Sequence, residues 1–227
     1  MAWLYHFCVG VCALVFRIFY PYRIVRKPKL EGPAIFCANH ISLIDMLFLA
    51  FTSRRMVHFM AKAELFENKF AAFFFRSVGA VPVVRGTAAA AGAARTANHL
   101  LEEGKVVGIF PEGTRSKDGE LLKGKPGVAM FAHQQQVPIV PVAICCRSPK
   151  PKMFRRVLMV CGDPIQPEEL GIVKGSGVEY RNATRMLMQR IADLQAEGRQ
   201  MLNYTPELPE KTETKASKAE KTEIKGD

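Results

Sequence analysis

The sequence predicts an α/β fold. The expected form is a single domain with a central, largely parallel or mixed sheet flanked by helices, preceded by an N-terminal membrane-associated helix. Three observations predict it. Short apolar runs of strand length alternate with longer segments of helical character, the pattern of successive strand–helix units. Hydrophobic residues make up 48% of the chain, ample for the core of such a fold. A length of 227 residues suits one domain with extensions.

The elements follow in order. Residues 1–16 are apolar up to Arg17. That run is shorter than the ~20 residues a clean membrane span needs. It lacks the basic leader and small-residue cleavage site of a secretory signal. Trp3, Tyr5, Tyr20 and Tyr22 suit a membrane interface, and Arg23, Arg26, Lys27 and Lys29 follow as a basic cluster that anionic lipid attracts. The expectation is an interfacial or half-inserted helix at the cytoplasmic face of the cell membrane. An ordinary buried helix is the alternative.

Residues 33–38 (PAIFCA) read as a buried strand, and 42–52 as a helix starting near Ser42 as N-cap. Residues 56–61 form a second strand, 68–77 (NKFAAFFFRS) a very apolar helix, and 81–84 (VPVV) a short strand. An Ala-rich helix over 87–103 closes at Gly104. Strand 106–110 enters PEGTRS, helix 127–136 follows, and VPIVPVAICC is a strand whose prolines suggest an edge or a strand start. A strand over 157–162 and a long helix over 178–203 complete the body. The charged segment 206–227 has almost no large apolar residue and is expected to be disordered. The expected organisation is therefore 1–25, membrane-associated; 26–205, catalytic; and 206–227, tail.

The formal net charge is +11, and residues 206–227 contribute −1 to it. Such a balance calls for an acidic partner: nucleic acid, an anionic membrane or a phosphorylated substrate. No interleaving of aromatic and basic residues of the RNA-binding kind is present, so nucleic acid is not expected. The six cysteines contain no C-x2-C pair, so neither a metal site nor a disulfide framework is expected. The adjacent Cys145 and Cys146 read as inert, small apolar residues.

Two stretches carry candidate chemistry. In NHISLID, His40 and Asp45 lie five residues apart. A turn after the strand can bring them together, with the carboxylate accepting from Nδ1 and leaving Nε2 as a base. Taken alone, the pair also reads as a helix-cap carboxylate beside a polar strand end. In FPEGTRS, residues 110–116, Gly113 permits close backbone approach and Arg115 offers a fork of donors for phosphate oxygens. Thr114 can add bonds, and Glu112 can hold Arg115 or bond a substrate hydroxyl. A plain loop salt bridge between Glu112 and Arg115 is the alternative. Lys62 and Arg85 also follow strands. Three cations at strand exits beside a His–Asp pair would make a phosphate-reading pocket containing a general base. A Ser-His-Asp hydrolase would need a G-x-S-x-G elbow, which is missing.

These blocks, in this order, resemble the membrane-bound glycerolipid acyltransferases, in particular the 1-acyl-glycerol-3-phosphate (lysophosphatidic acid) acyltransferases. Asn39, His40 and Asp45 match the first block, N-H-x4-D. VPVVRG at 81–86, FPEGTRS at 110–116 and VPIVPV at 137–142 match the second, third and fourth. The resemblance covers residues 33–162 and does not reach the tail. It implies acyl transfer from a thioester to the free hydroxyl of the lysolipid, giving phosphatidic acid. His40 would be the base and Asp45 its orienter. Arg115, Lys62 and Arg85 would hold the phosphate, and Glu112, Gly113 and Thr114 would shape the glycerol site. No cofactor or metal is implied; acyl-CoA or acyl-carrier protein is the co-substrate and membrane lipid the partner. The phenylalanines of FAAFFF would line an acyl groove, or serve as plain core. Glycerol-3-phosphate or another lysophospholipid is the alternative acceptor, and a catalytically silent basic membrane-binding protein the non-enzymatic alternative.

Overall fold

A computed structural model describes residues 2–26, 28–83 and 89–203. The elements are α1 (Ala2–Phe19), β1 (Tyr22–Val25), β2 (Ala34–Ala38), α2 (Asp45–Thr52), β3 (Val57–Lys62), α3 (Lys69–Ser77), β4 (Ala80–Val83), α4 (Ala89–Glu102), β5 (Val106–Ile109), α5 (Gly127–Gln135), β6 (Ile139–Cys146), β7 (Val157–Cys161) and α6 (Gly177–Met201). Short 3-10 turns lie at Ala63–Phe66 and Glu168–Leu170.

Among the described residues the strands form one seven-stranded sheet in the order β1-β7-β6-β2-β5-β3-β4. Every neighbouring pair is parallel except β6 and β7. The sheet is therefore mixed, within the expected class. Alternation sorts the side chains to its two faces. Ile35 and Cys37 of β2 join Leu100, Phe131, Leu187 and Ile191 from α4, α5 and α6. Phe36 and Ala38 point the other way, to Phe48 and Phe51 of α2. Both faces of the central strands are thus buried, which is why β2, β5, β6 and β7 read as unbroken apolar runs. Gly108 in β5 is required by packing: a Cβ there would stand 2.2 Å from Cε1 of Phe59.

Of the two places the prolines of VPIVPV suggested, the strand start holds, with Pro138 directly before β6, and the edge does not, because β6 lies between β2 and β7 in the sheet interior. The antiparallel ladder with β7 begins at the Val142–Cys161 pair, one residue beyond Pro141. The Pro141 carbonyl still accepts from the Gly162 N–H at 2.8 Å. Its missing N–H therefore falls where β7 has already ended, and no central ladder bond is lost.

The segment Tyr22–Val25, which holds the first arginine of the expected basic cluster, Arg23, is a strand paired in parallel with β7. Arg26 is exposed, and its guanidinium donates twice to Glu197 at 2.6 Å and once to the Cys161 carbonyl. The expected N-terminal segment thus contributes a strand to the main sheet.

Helix α1 is present and docks on the body. The buried Tyr5 hydroxyl accepts from the Val57 N–H at 3.1 Å, and Phe16 packs edge-on against Phe48 and Phe51. Its outer face leaves Trp3, Phe7, Leu14 and Ile18 exposed. Among the described residues no helix is long and apolar enough to cross a membrane. The FAAFFF phenylalanines are not core: Phe70 is 88% exposed and Phe73 62%. The tail lies outside the described residues.

Candidate active site

Strand β2 delivers Asn39 and His40 at its carboxyl end, where open α/β sheets place their sites. The buried Asn39 amide locks this end to β6: it donates to the Ile144 carbonyl at 3.1 Å and accepts from the Ile144 N–H at 2.7 Å. Such two-way bonding satisfies a polar group that would otherwise be costly to bury.

His40 then meets Asp45 as the spacing suggested. Nδ1 lies 2.9 Å from Oδ2 of Asp45, and that oxygen also accepts from the Ile41 and Ser42 N–H groups, each at 2.6 Å. With three donors on one buried carboxylate oxygen, the Nδ1 contact is a donation from the ring, and Nε2 carries the lone pair. Burial pushes the Asp45 carboxyl above the usual range, while the bonds from His40, Ser42 and Ile41 pull it back. Its second oxygen, Oδ1, is buried and has no partner among the described residues. The imidazole lies flat on Phe110, ring centroids 4.1 Å apart, and keeps 18% of its side-chain surface exposed.

Ser42 is not the cap expected of it. Helix α2 begins at Asp45 with Ile44 in the cap position and no side-chain cap bond. The Ser42 hydroxyl receives only a long 3.5 Å contact from the Ile44 N–H. Asp45 reaches back to the Ser42 N–H instead, because the turn serves the His–Asp contact.

The FPEGTRS loop leaves β5, the neighbour of β2. Glu112 is buried, and both its oxygens are taken by backbone donors: Oε1 by the His40 N–H at 2.9 Å, and Oε2 by the Leu122 N–H at 3.2 Å. The expected pairing of Glu112 with Arg115 is therefore absent, and Glu112 is a brace for the His40 backbone. Burial raises the Glu112 carboxyl, and those two bonds oppose the shift. The Ser116 N–H donates to the His40 carbonyl at 2.8 Å, so the same loop holds both peptide groups of the histidine.

Gly113 has φ 69° and uses the freedom the sequence reading gave it. Thr114 and Arg115 are exposed, and among the described residues Arg115 enters no ion pair. Lys62 is exposed at the end of β3, on the same sheet edge. Arg85 lies outside the described residues.

The structure adds Lys125, which sequence reasoning missed. Its ammonium occupies the space beside Gly113, 2.7 Å from where a Cβ would stand, and its backbone N–H donates to the Pro111 carbonyl at 2.8 Å. Its only sequence signal is a lysine soon after FPEGTRS, in a run with several. Among the described residues, no group of three or more His, Cys, Asp and Glu is placed to hold a metal ion.

Comparison with known proteins places this geometry. The sequence pattern of the Acyltransferase family matches residues 22–145. The chain is 27% identical over 197 residues to the 1-acyl-sn-glycerol-3-phosphate acyltransferase of Bacillus subtilis, covering 85% of this chain and 97% of that protein. It is 33% identical over 147 residues to the human 1-acyl-sn-glycerol-3-phosphate acyltransferase beta, covering 59% of this chain and 50% of the human protein. The crystal structure of the 1-acyl-sn-glycerophosphate (LPA) acyltransferase PlsC from Thermotoga maritima superposes with a TM-score of 0.65 at 26% identity, over 84% of this chain and 79% of that one. With more than half its length matched by the family pattern, the chain belongs to the acyltransferase family.

Proposed function

We propose that the protein transfers a fatty acyl group from an acyl thioester to the sn-2 hydroxyl of 1-acyl-glycerol-3-phosphate, giving phosphatidic acid for phospholipid synthesis. The observation that carries this is the His40–Asp45 contact of 2.9 Å at a strand exit beside the cation-bearing FPEGTRS loop. The similarity to named lysophosphatidic acid acyltransferases supports the choice of acceptor.

In this reading Nε2 of His40 takes the hydroxyl proton as the alcohol oxygen bonds to the thioester carbonyl carbon. The tetrahedral centre then collapses, the carbon–sulfur bond breaks, and the thiolate leaves with the proton from the imidazolium. Asp45 holds the ring and stabilises its cationic form. Arg115, Lys62, Arg85 and Lys125 hold the acceptor phosphate, Thr114 adds a bond, and Gly113 lets it approach the backbone. Glu112 acts through the His40 peptide rather than on glycerol. Thiolate is a good leaving group, so positioning and a base can supply much of the rate. The donor is acyl-CoA or acyl-carrier protein.

The exposed apolar face of α1, with Trp3, Phe7, Leu14 and Ile18, lies in one leaflet at the cytoplasmic face of the membrane. Exposed Phe70 and Phe73 of α3 extend it.

The test is acyl transfer by the purified protein in detergent with oleoyl-CoA and lysophosphatidic acid. Thiol release and phosphatidic acid should appear together and vanish in His40→Ala. Thiol release without phosphatidic acid would sink the acceptor assignment, and full activity in His40→Ala the base.

A further inference from the structure

We infer that the loop joining β6 to β7, residues 147–156, is a second membrane-docking element that inserts Met153 and Phe154 among anionic lipid headgroups and aims the site at the bilayer. The inference rests on the membrane-facing reading of α1 and goes beyond it.

The position of the loop follows from the sheet. Strand β6 runs parallel to β2 with Val142 opposite Ala38, and continues four residues further to Cys146. The loop therefore stands beyond the edge on which His40 sits. Strand β1 begins opposite Val157 at this same edge, so the last turn of α1 ends there too. The two are tied: the Phe154 N–H donates to the Phe19 carbonyl at 2.6 Å, and the Val157 N–H to that of Pro21 at 2.9 Å.

The chemistry of the tip is that of a lipid wedge. Met153 and Phe154 are 51% and 66% exposed. Phe154 has φ 58°, a left-handed conformation that a bulky side chain rarely adopts. Its ring meets that of the half-exposed Phe19, centroids 5.9 Å apart, which joins the tip to the exposed face of α1. The backbone thus holds in water a side chain that packing would normally bury, and holds it next to the surface already read as lipid-facing.

Lys150, Lys152, Arg155 and Arg156 flank this pair in the sequence, all exposed, and none forms an ion pair among the described residues. Unpaired cations around an apolar tip complement anionic headgroups around acyl chains, and each adds attraction that salt screens. An acidic carrier protein would answer the charges but would leave the apolar tip unexplained.

The experiment is partitioning of the full chain onto vesicles of phosphatidylcholine alone or with a third phosphatidylglycerol. Wild type should favour the anionic vesicles. Met153→Ser with Phe154→Ser should lower partitioning by about tenfold or more, at unchanged transfer in detergent micelles and unchanged Tm. Replacing the four cations by Gln should bring the ratio between anionic and neutral vesicles close to one. Unchanged partitioning in both variants would overturn the inference. So would a charge variant that binds vesicles normally but shows a raised KM for acyl-carrier protein. As a check independent of stability, Phe154→Trp in a Trp3→Phe background should shift its emission to the blue on anionic vesicles. An unshifted spectrum would also overturn it. Detergent activity is read separately, so a wild-type protein that docks but transfers no acyl group would count against the proposed reaction and leave the docking standing.

Discussion

Oδ2 of Asp45 receives the His40 ring N–H and two backbone N–H groups at once, at 2.9, 2.6 and 2.6 Å. The carboxylate both orients the imidazole and shapes the turn that carries it. In Asp45→Asn an amide oxygen at this position still meets all three donors, but the negative charge that stabilises the imidazolium is lost and the NH2 falls at the buried Oδ1 position, which has no partner among the described residues. A fall in kcat of about 10²–10⁴ is expected. Single-turnover transfer with a saturating donor checks it, and a normal kcat would remove Asp45 from its role.

Glu112 forms no ion pair with Arg115 and accepts two hydrogen bonds from the backbone. Glu112→Gln keeps the shape but turns one acceptor into a donor facing an N–H. The cost should be about 1–3 kcal/mol of stability, with a loss in kcat through displacement of His40. Denaturant unfolding beside kinetics would separate this from loss of a glycerol contact, which would raise KM without loss of stability.

Arg115 and Lys125 are exposed cations, Lys125 with its ammonium beside Gly113 and Arg115 two residues along the same loop. Arg115→Ala should raise KM for lysophosphatidic acid about tenfold, as loss of a charge-assisted bond would, and leave KM for the donor alone. Lys125→Ala should act in the same direction, and the double variant further. An unchanged acceptor KM in Lys125→Ala would show that the lysine serves only the loop.

His58, half-buried in β3, has its pKa lowered from 6.5 to about 4, chiefly by burial and then by the positive charge of Lys105. Its folded pKa lies below the unfolded one, so the stability it contributes is full above about 6.5. That stability is lost as pH falls toward 4, because only the unfolded chain takes the proton. Tm should decline across this window, and His58→Gln should flatten that part of the profile. A profile identical to wild type would show that other groups govern acid sensitivity.

Much of this architecture was legible because the central strands are apolar on both faces and a helix can end at a recognisable residue, as at Gly104. Strand β1 was not, because YRIV carries an arginine, is only half-buried at the sheet edge, and sits in a basic run. The interior place of β6 was hidden because a proline's harm depends on where the neighbouring strand stops, which only the Val142–Cys161 register reveals. His40 and Asp45 were readable from spacing. The Glu112 brace was not, since a buried carboxylate bonding amides 72 and 10 residues away leaves the same letters as a surface salt bridge.

The two peptide groups of His40 are held by Glu112 and Ser116, residues that leave a different strand. The base and the phosphate loop should therefore open together. In hydrogen exchange, the amides of His40 and Ser116 should share one opening free energy, and acceptor binding at Arg115 should slow both by the same factor. Affinity for the phosphate would then be converted directly into order at the proton acceptor.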